Sequence, residues 1–180
     1  ITISGFTIRN GKSFSGVETT TLGNHTIFGN KLLNNAFGIN LLLASGNTVV
    51  GNTLIQNSLV GINVISSSNN TVSTNYVSQS TYGIKLEASN NNSVVGNMVS
   101  DTSYGIYLSS SNLNSVDKNN VSGRLVGIYS VYSNDVNIRE NIASGGGYGI
   151  QLYGCTRNNI LRNTAIDNSY GIYLVRSNTN

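Results

Sequence analysis

Glycine recurs along this chain at Gly16, Gly38, Gly61, Gly83, Gly105, Gly127, Gly149 and Gly171, with gaps of 22 residues and a single gap of 23. Asparagine keeps step with it, always 14 residues later, at Asn30, Asn52, Asn75, Asn97, Asn119, Asn141 and Asn163. The hexapeptide SYGIYL at 103–108 and again at 169–174 is the same register met three repeats apart. A fixed period of this length that covers nearly the whole chain is the signature of a solenoid.

With each glycine counted as position zero, position +1 is Val17, Ile39, Ile62, Ile84, Ile106, Ile128, Ile150 and Ile172. Position +3 is mostly leucine or valine, and the residues between them are mostly polar or tyrosine, which is the alternation of a half-buried strand. Further apolar columns stand at +11 (Ile27, Val49, Val72, Val94, Val116, Ile138, Ile160) and at +16 (Leu32 to Ala165). Three short strands per repeat, with no helical stretch between them, can bury their inward sides only by winding into a coil. The fold expected is all-β: a right-handed single-stranded parallel β-helix of about eight coils with three short parallel sheets, roughly 38 Å long at the usual strand spacing. It forms one domain over residues 1–180.

Stacking one coil on the next places like residues on top of each other. The +14 asparagines should therefore form an amide ladder at a corner, and the glycines should permit a bend or bulge at strand entry. The one extra residue falls between Asn52 and Gly61. The aromatic column at −1 (Phe37, Tyr82, Tyr104, Tyr148, Tyr170) is expected to point inward or cap a corner, as packing.

Charged residues make up only 9% of the chain, while it holds 30 asparagines, 20 glycines and no proline. The net charge is +3 without any run of Lys or Arg, which leaves no footprint for phosphate and excludes nucleic acid as a partner. No apolar run approaches a membrane span. The chain opens on Ile-Thr-Ile-Ser without a basic start or cleavage site, so it reads as a mature or excised piece of a longer surface protein. Cys155 stands alone, which rules out an internal disulfide and favours a small buried side chain.

The unit NTVVGN or NSVVGN, a short spacer, then YGIKL or YGIYL resembles the repeat of the NosD-type, or carbohydrate-binding-and-sugar-hydrolysis, β-helix family; GFTIRNG resembles the opening coil of such proteins. The resemblance implies a protein that is extracellular, on the cell surface or periplasmic. Relatives of this type include polysaccharide-modifying enzymes and a periplasmic protein of copper-centre assembly.

Neither chemistry finds its residues here. Copper needs clustered soft ligands, whereas His25, Met98 and Cys155 occur once each in different coils, so no metal or other cofactor is expected. Carbohydrate enzymes need converging acids, but Asp101 and Asp167 share a column three coils apart. The Asp-Pro-His signature expected of mannuronan-epimerase relatives cannot occur without proline. Asp117 facing Arg139, with Lys118, Glu140 and Arg162 down one column, reads as an ion-pair ladder. No catalytic residue is assigned. An ice-binding array is disfavoured, because the +10 threonines give way to Asn137 and Asn159.

Binding has a better candidate in the outward +2 column, Lys85, Tyr107, Tyr129, Gln151 and Tyr173, preceded by Asn40 and Asn63. Tyrosines and amides on a rigid strand face can stack on sugars and bond their hydroxyls, although exposed tyrosine also simply suits strands. Sequons at Asn24, Asn69, Asn91 and Asn120 permit glycosylation. The sequence thus points to a non-catalytic structural or adhesive module whose partners are polysaccharide or neighbouring surface-protein subunits. The alternatives are a carbohydrate-processing protein with its catalytic residues elsewhere, and a surface-layer or sheath subunit that associates end to end.

Overall fold

A computed structural model describes all of residues 1–180 and contains strands and turns but no helix. Each coil contributes three strands, for example Thr48–Val50, Thr53–Ile55 and Val60–Ile65. Every strand pairing is parallel, to the equivalent strand one coil away. The first face is a separate eight-stranded sheet, one strand for each of eight coils. The expected second and third sheets are not separate: they join into one fourteen-stranded sheet. The join is made by two long strands, Met98–Ser109 and Asn120–Val131, which run through the corner between those faces. A register shift where Thr102 pairs with Gly123 pushes Arg124 and Leu125 outward there. The extra residue of the 23-residue repeat lies at Ser58–Leu59. Ile55 pairs with Leu33, 22 residues back, whereas Val60 pairs with Phe37, 23 back.

A core of 26 buried residues runs down the axis, built from the +1, +3, +11 and +16 columns with Val136 and Cys155 added from the corners; Ile39, Ile62, Ile84, Ile106 and Ile128 have no exposed surface. The corners obey a rule that the glycine count conceals. In each complete coil residues at +5, +8, +13 and +18 take left-handed backbone angles, as Ala88 (φ 48), Asn91 (φ 55), Gly96 (φ 64) and Asp101 (φ 53) do in one coil, except that the coil after Gly105 lacks the fourth, where Asn120–Val131 runs through the corner. Each bends the chain, and the residue after it turns its polar side chain inward: Ser89, Asn92, Asn97 and Thr102 are all buried.

These inward polar residues form ladders. At +14, Asn30, Asn52, Asn75, Asn97, Asn119, Asn141 and Asn163 bond in sequence, Nδ2 to Oδ1, at 2.9–3.0 Å. A second ladder at +9 (Asn47, Asn70, Asn92, Asn114) was not singled out from the sequence; it breaks at Val136, whose backbone N–H still donates to Asn158. A third, of serine, links Ser67, Ser89, Ser111 and Ser133 through N–H to Oγ bonds. The laddered polar groups thereby stay paired, as a narrow core requires, whereas the Thr102 hydroxyl, at the corner where the long strands run through, has no partner.

Candidate functional site

The repeat glycines decide which side chains reach the outer surface of the third face. None of the eight has a positive φ. They are glycine because a Cβ there would point inward: at Gly105 it would lie 2.0 Å from Val121 Cγ1 and 2.5 Å from the Gly127 carbonyl oxygen. Since +1 is also buried, two successive residues face the core. Alternation therefore slips by one, and −1, +2 and +4 all face outward. This overturns the expectation for the −1 column: Phe37, Tyr82, Tyr104 and Tyr148 are half-buried on the outer surface and Tyr170 is exposed there. They stand beside the +2 column as part of the same strip.

The predicted residues Lys85, Tyr107, Tyr129 and Gln151 are half-buried, and Tyr173 is exposed, in line along the third face. Tyr82 and Tyr104 stack with centroids 5.1 Å apart, and Tyr104 stacks on Tyr129 at 6.1 Å. Tyr107 lies edge-on to all three, at 5.3–5.9 Å. Beyond Val126 and Gln151 a second cluster joins Tyr148, Tyr170 and Tyr173, with centroids 5.1–5.3 Å apart. The stacked rings cover one another, so the strip offers a ligand ring edges and phenol groups more than free ring faces. None of these seven hydroxyls has a hydrogen-bond partner within the chain. Burial, reinforced by neighbouring phenols, holds the Tyr82 and Tyr129 hydroxyls above the ordinary tyrosine range, so they remain donors at neutral pH.

Towards the N-terminus the same columns become polar. Asn63 Nδ2 donates to Asn40 Oδ1 at 2.9 Å, and Asn40 Nδ2 donates to Glu18 Oε2 at 3.0 Å. Ser15 Oγ donates to the same carboxylate oxygen at 2.8 Å. The bonds from Asn40 and Ser15 hold the Glu18 carboxyl below its ordinary range. Ser13, Phe14, Ser15, Glu18 and Phe37 enclose an open cleft of about 300 Å³. Lys85 Nζ sits 5.6 Å from the Tyr82 ring centre and closes onto Glu87 at 2.7 Å. At the far end Arg176 covers the Tyr153 ring and donates to its hydroxyl at 3.2 Å.

The other sequence candidates are dispersed. Arg139 grips Asp117 with two bonds of 2.9 and 3.2 Å, and Lys118 reaches Glu140 at 3.8 Å, while Arg162 joins no ion pair. An unforeseen pair, Arg157 with Asp135, closes at 2.7 Å. Asn24, Asn69 and Asn91 occupy exposed left-handed corners, and Asn120 opens a strand with its side chain exposed. Cys155 is buried in the slot of the serine ladder, its thiol 3.3 Å from the carbonyl oxygens of Ser130 and Tyr153.

A family model described as periplasmic copper-binding protein (NosD) matches residues 58–180. The chain belongs to the NosD family. The family is periplasmic, in keeping with the exported location inferred from the repeat. Its description also names copper, and the donor set of this NosD chain does not fit that ion. The thiol of Cys155 is sealed in a ladder, Met98 is half exposed two faces away in the repeat, and His25 lies in the first coils beside Ile1. No three His, Cys, Asp or Glu side chains converge anywhere. No curated protein sequence matches the chain.

Solved structures share its fold. The periplasmic alginate epimerase AlgG is similar over 97% of this chain and 50% of its own, with a TM-score of 0.68 and 17% identity. The Dettilon tailspike protein gp208 is similar over 97% of this chain and 60% of its own, with a TM-score of 0.59 and 14% identity. The A-module of the Azotobacter vinelandii mannuronan C-5 epimerase AlgE6 follows at 98% and 57%, with a TM-score of 0.52 and 13% identity. The chain thus spans half to three-fifths of these proteins, and at such identities the likeness is one of fold.

Proposed function

We propose that this NosD-family β-helix is a non-catalytic carbohydrate-binding and adhesive module of an exported cell-surface or periplasmic protein, and that it lays a glycan along the axis of its third face. The observation that carries this reading is the strip of seven tyrosines whose hydroxyls have no partner within the chain. An amphipathic ring with a free hydroxyl suits a sugar, which has apolar C–H faces and polar rims. The strip is rigid before binding, because each ring is held by its neighbours, so little side-chain entropy is lost on contact. Coils repeat at about 4.8 Å, close to the length of one pyranose residue, so an extended chain meets equivalent groups at each coil. Two of the similar folds are named for epimerases of alginate and mannuronan, which supports a polysaccharide partner. A carbohydrate-processing protein with its catalytic acids outside this chain is the alternative, because the acids here are paired with bases or scattered.

A glycan array probed with the wild type, Tyr107→Ala/Tyr129→Ala and Tyr107→Phe/Tyr129→Phe tests the proposal. The wild type should bind at least one glycan, and the alanine pair should lose tenfold or more. The phenylalanine pair keeps the ring contacts and should fold as stably as the wild type while binding more weakly. Absence of binding by the wild type overturns the reading.

A further inference from the structure

The chain carries a net charge of +3, and its placement bears on what the third face can hold. Four acids and four bases lie on that face or at its two margins. Glu18, Lys85, Glu87 and Arg176 are on its outward columns or the following turn; Lys12, Asp101, Arg124 and Asp167 are at the preceding corner. The remaining residues of the other faces hold six bases against three acids, so the entire excess of positive charge lies away from the tyrosines.

The local arrangement is stricter still. Lys85 is the one cation beside the larger tyrosine cluster, and its charge is taken up by Glu87 at 2.7 Å. Arg124 shares a cleft with Asp101. Glu18 has no cationic partner and is kept ionised by Asn40 and Ser15, which places an uncompensated negative charge at the polar end of the strip. What the strip offers is phenol hydroxyls, the amides of Asn40, Asn63 and Gln151, and a carboxylate that accepts from hydroxyls. Recognition of a polyanion needs several cations in fixed geometry, as Arg and Lys supply to carboxylates elsewhere. The one cation against the larger tyrosine cluster is paired, and the cations without an ion pair, Lys12, Arg124 and Arg176, stand singly at the margins and the far end, Arg176 bonded to the Tyr153 hydroxyl.

We infer that the ligand of the third face is an uncharged, hydroxyl-rich polysaccharide and not a polyuronate; this rests on the reading of that face as a glycan-binding surface. Its recognition is by hydroxyl to amide, phenol and carboxylate bonds along the strip, and it is insensitive to salt. Among polymers of the same backbone length, negative charge lowers affinity.

Affinity electrophoresis and calorimetry with a β-glucan, a xylan and a mannan on one side, and alginate and polygalacturonate on the other, test this. Each polymer is run in 50 and 500 mM NaCl against the wild type, Tyr107→Ala/Tyr129→Ala and Glu87→Gln. The expected result is binding of at least one neutral polymer that changes less than twofold with salt and falls tenfold or more in the tyrosine variant. Glu87→Gln frees Lys85; it should leave neutral binding within twofold and raise alginate binding by fivefold or more. Polyuronate binding that is lost in the tyrosine variant, with no neutral polymer bound, overturns this inference while leaving the face a glycan-binding surface. Failure of every polymer in both classes overturns the glycan reading itself.

Discussion

Asn97 and Asn119 are joined twice: the backbone N–H and the Nδ2 of Asn97 both donate to Asn119 Oδ1, each at 2.9 Å. Asn97 Nδ2 also donates to the Val72 carbonyl at 3.0 Å, while its own Oδ1 accepts two bonds from Asn75. One side chain therefore satisfies groups in three coils. Truncation as Asn97→Ala leaves the Asn75 backbone N–H without its partner inside the core and removes one bond each from Asn75 Nδ2, which keeps the Val49 carbonyl, and from the Val72 carbonyl. At about 1–3 kcal/mol for a buried group left unpaired, the loss should be about 2–3 kcal/mol in urea unfolding. Asn163→Ala, in a coil where the ladder ends and the side chain is partly exposed, should cost less than half as much.

Much of this architecture is legible in the sequence, and the unread part has physical reasons. The glycine and +14 asparagine series fix the period, the core columns and one ladder, because identical slots stack on identical slots. The +9 ladder is less visible, since His25 begins its column and Val136 interrupts it. Strict alternation also mislays Tyr82, Tyr104 and Tyr148. Only the crowding beneath the repeat glycine shows that two residues in succession face inward, which moves the −1 column to the surface. The three-residue interval between the two tyrosine columns was the available signal, because equal phase across a glycine implies a slip. The join of the second and third faces at Met98–Ser109 and Asn120–Val131 depends on backbone angles at one corner, and no residue pattern marks it.

The glycine column gives a graded test of that slip. Gly105→Ala would drive its Cβ against Val121 Cγ1 at 2.0 Å and the Gly127 oxygen at 2.5 Å, and the second contact is backbone that cannot rotate away. Gly171→Ala meets only Ala165 Cβ, at 3.6 Å. Overpacking costs typically about 1–3 kcal/mol. Gly105→Ala should fall at the upper end of that range by chemical denaturation, and Gly171→Ala should stay within about 0.5 kcal/mol of the wild type. Equal effects at both positions would show that flexibility, rather than space, selects glycine here.

Acid should weaken the first face through Asp117. Burial alone would raise this carboxyl, but the bonds from Arg139 and Ser115, with the charges of Arg139 and Lys118, outweigh it and hold the group below its ordinary range. A carboxyl lowered in the folded state binds protons more readily when unfolded, so its contribution is complete above the unfolded value near 4. That contribution disappears as pH falls through the lower folded value. Urea unfolding at pH 7 and pH 3 should show a smaller acid loss in Asp117→Asn than in the wild type. The difference should be about 0.2–1 kcal/mol, the range of a partly exposed ion pair.

Cys155 stands where Ser67, Ser89, Ser111, Ser133 and Ser177 stand in other coils. In that slot a serine oxygen accepts the N–H of the equivalent residue one coil earlier, as Ser133 Oγ does from Ser111 at 2.9 Å. It also donates back to a carbonyl two residues before it, as Ser111 Oγ does to Ser109 at 2.8 Å. The sulfur reproduces the second bond, to Tyr153 at 3.3 Å, but is a weak acceptor for the first. Cys155→Ser should therefore extend the serine ladder by one rung and be neutral or stabilising by up to about 1 kcal/mol, which is unusual for a polar substitution at a wholly buried site. Cys155→Ala removes both bonds and should destabilise. Thermal unfolding of the two variants reads the difference directly. A serine variant that melts below the alanine variant would mean that the slot selects size rather than hydrogen bonding.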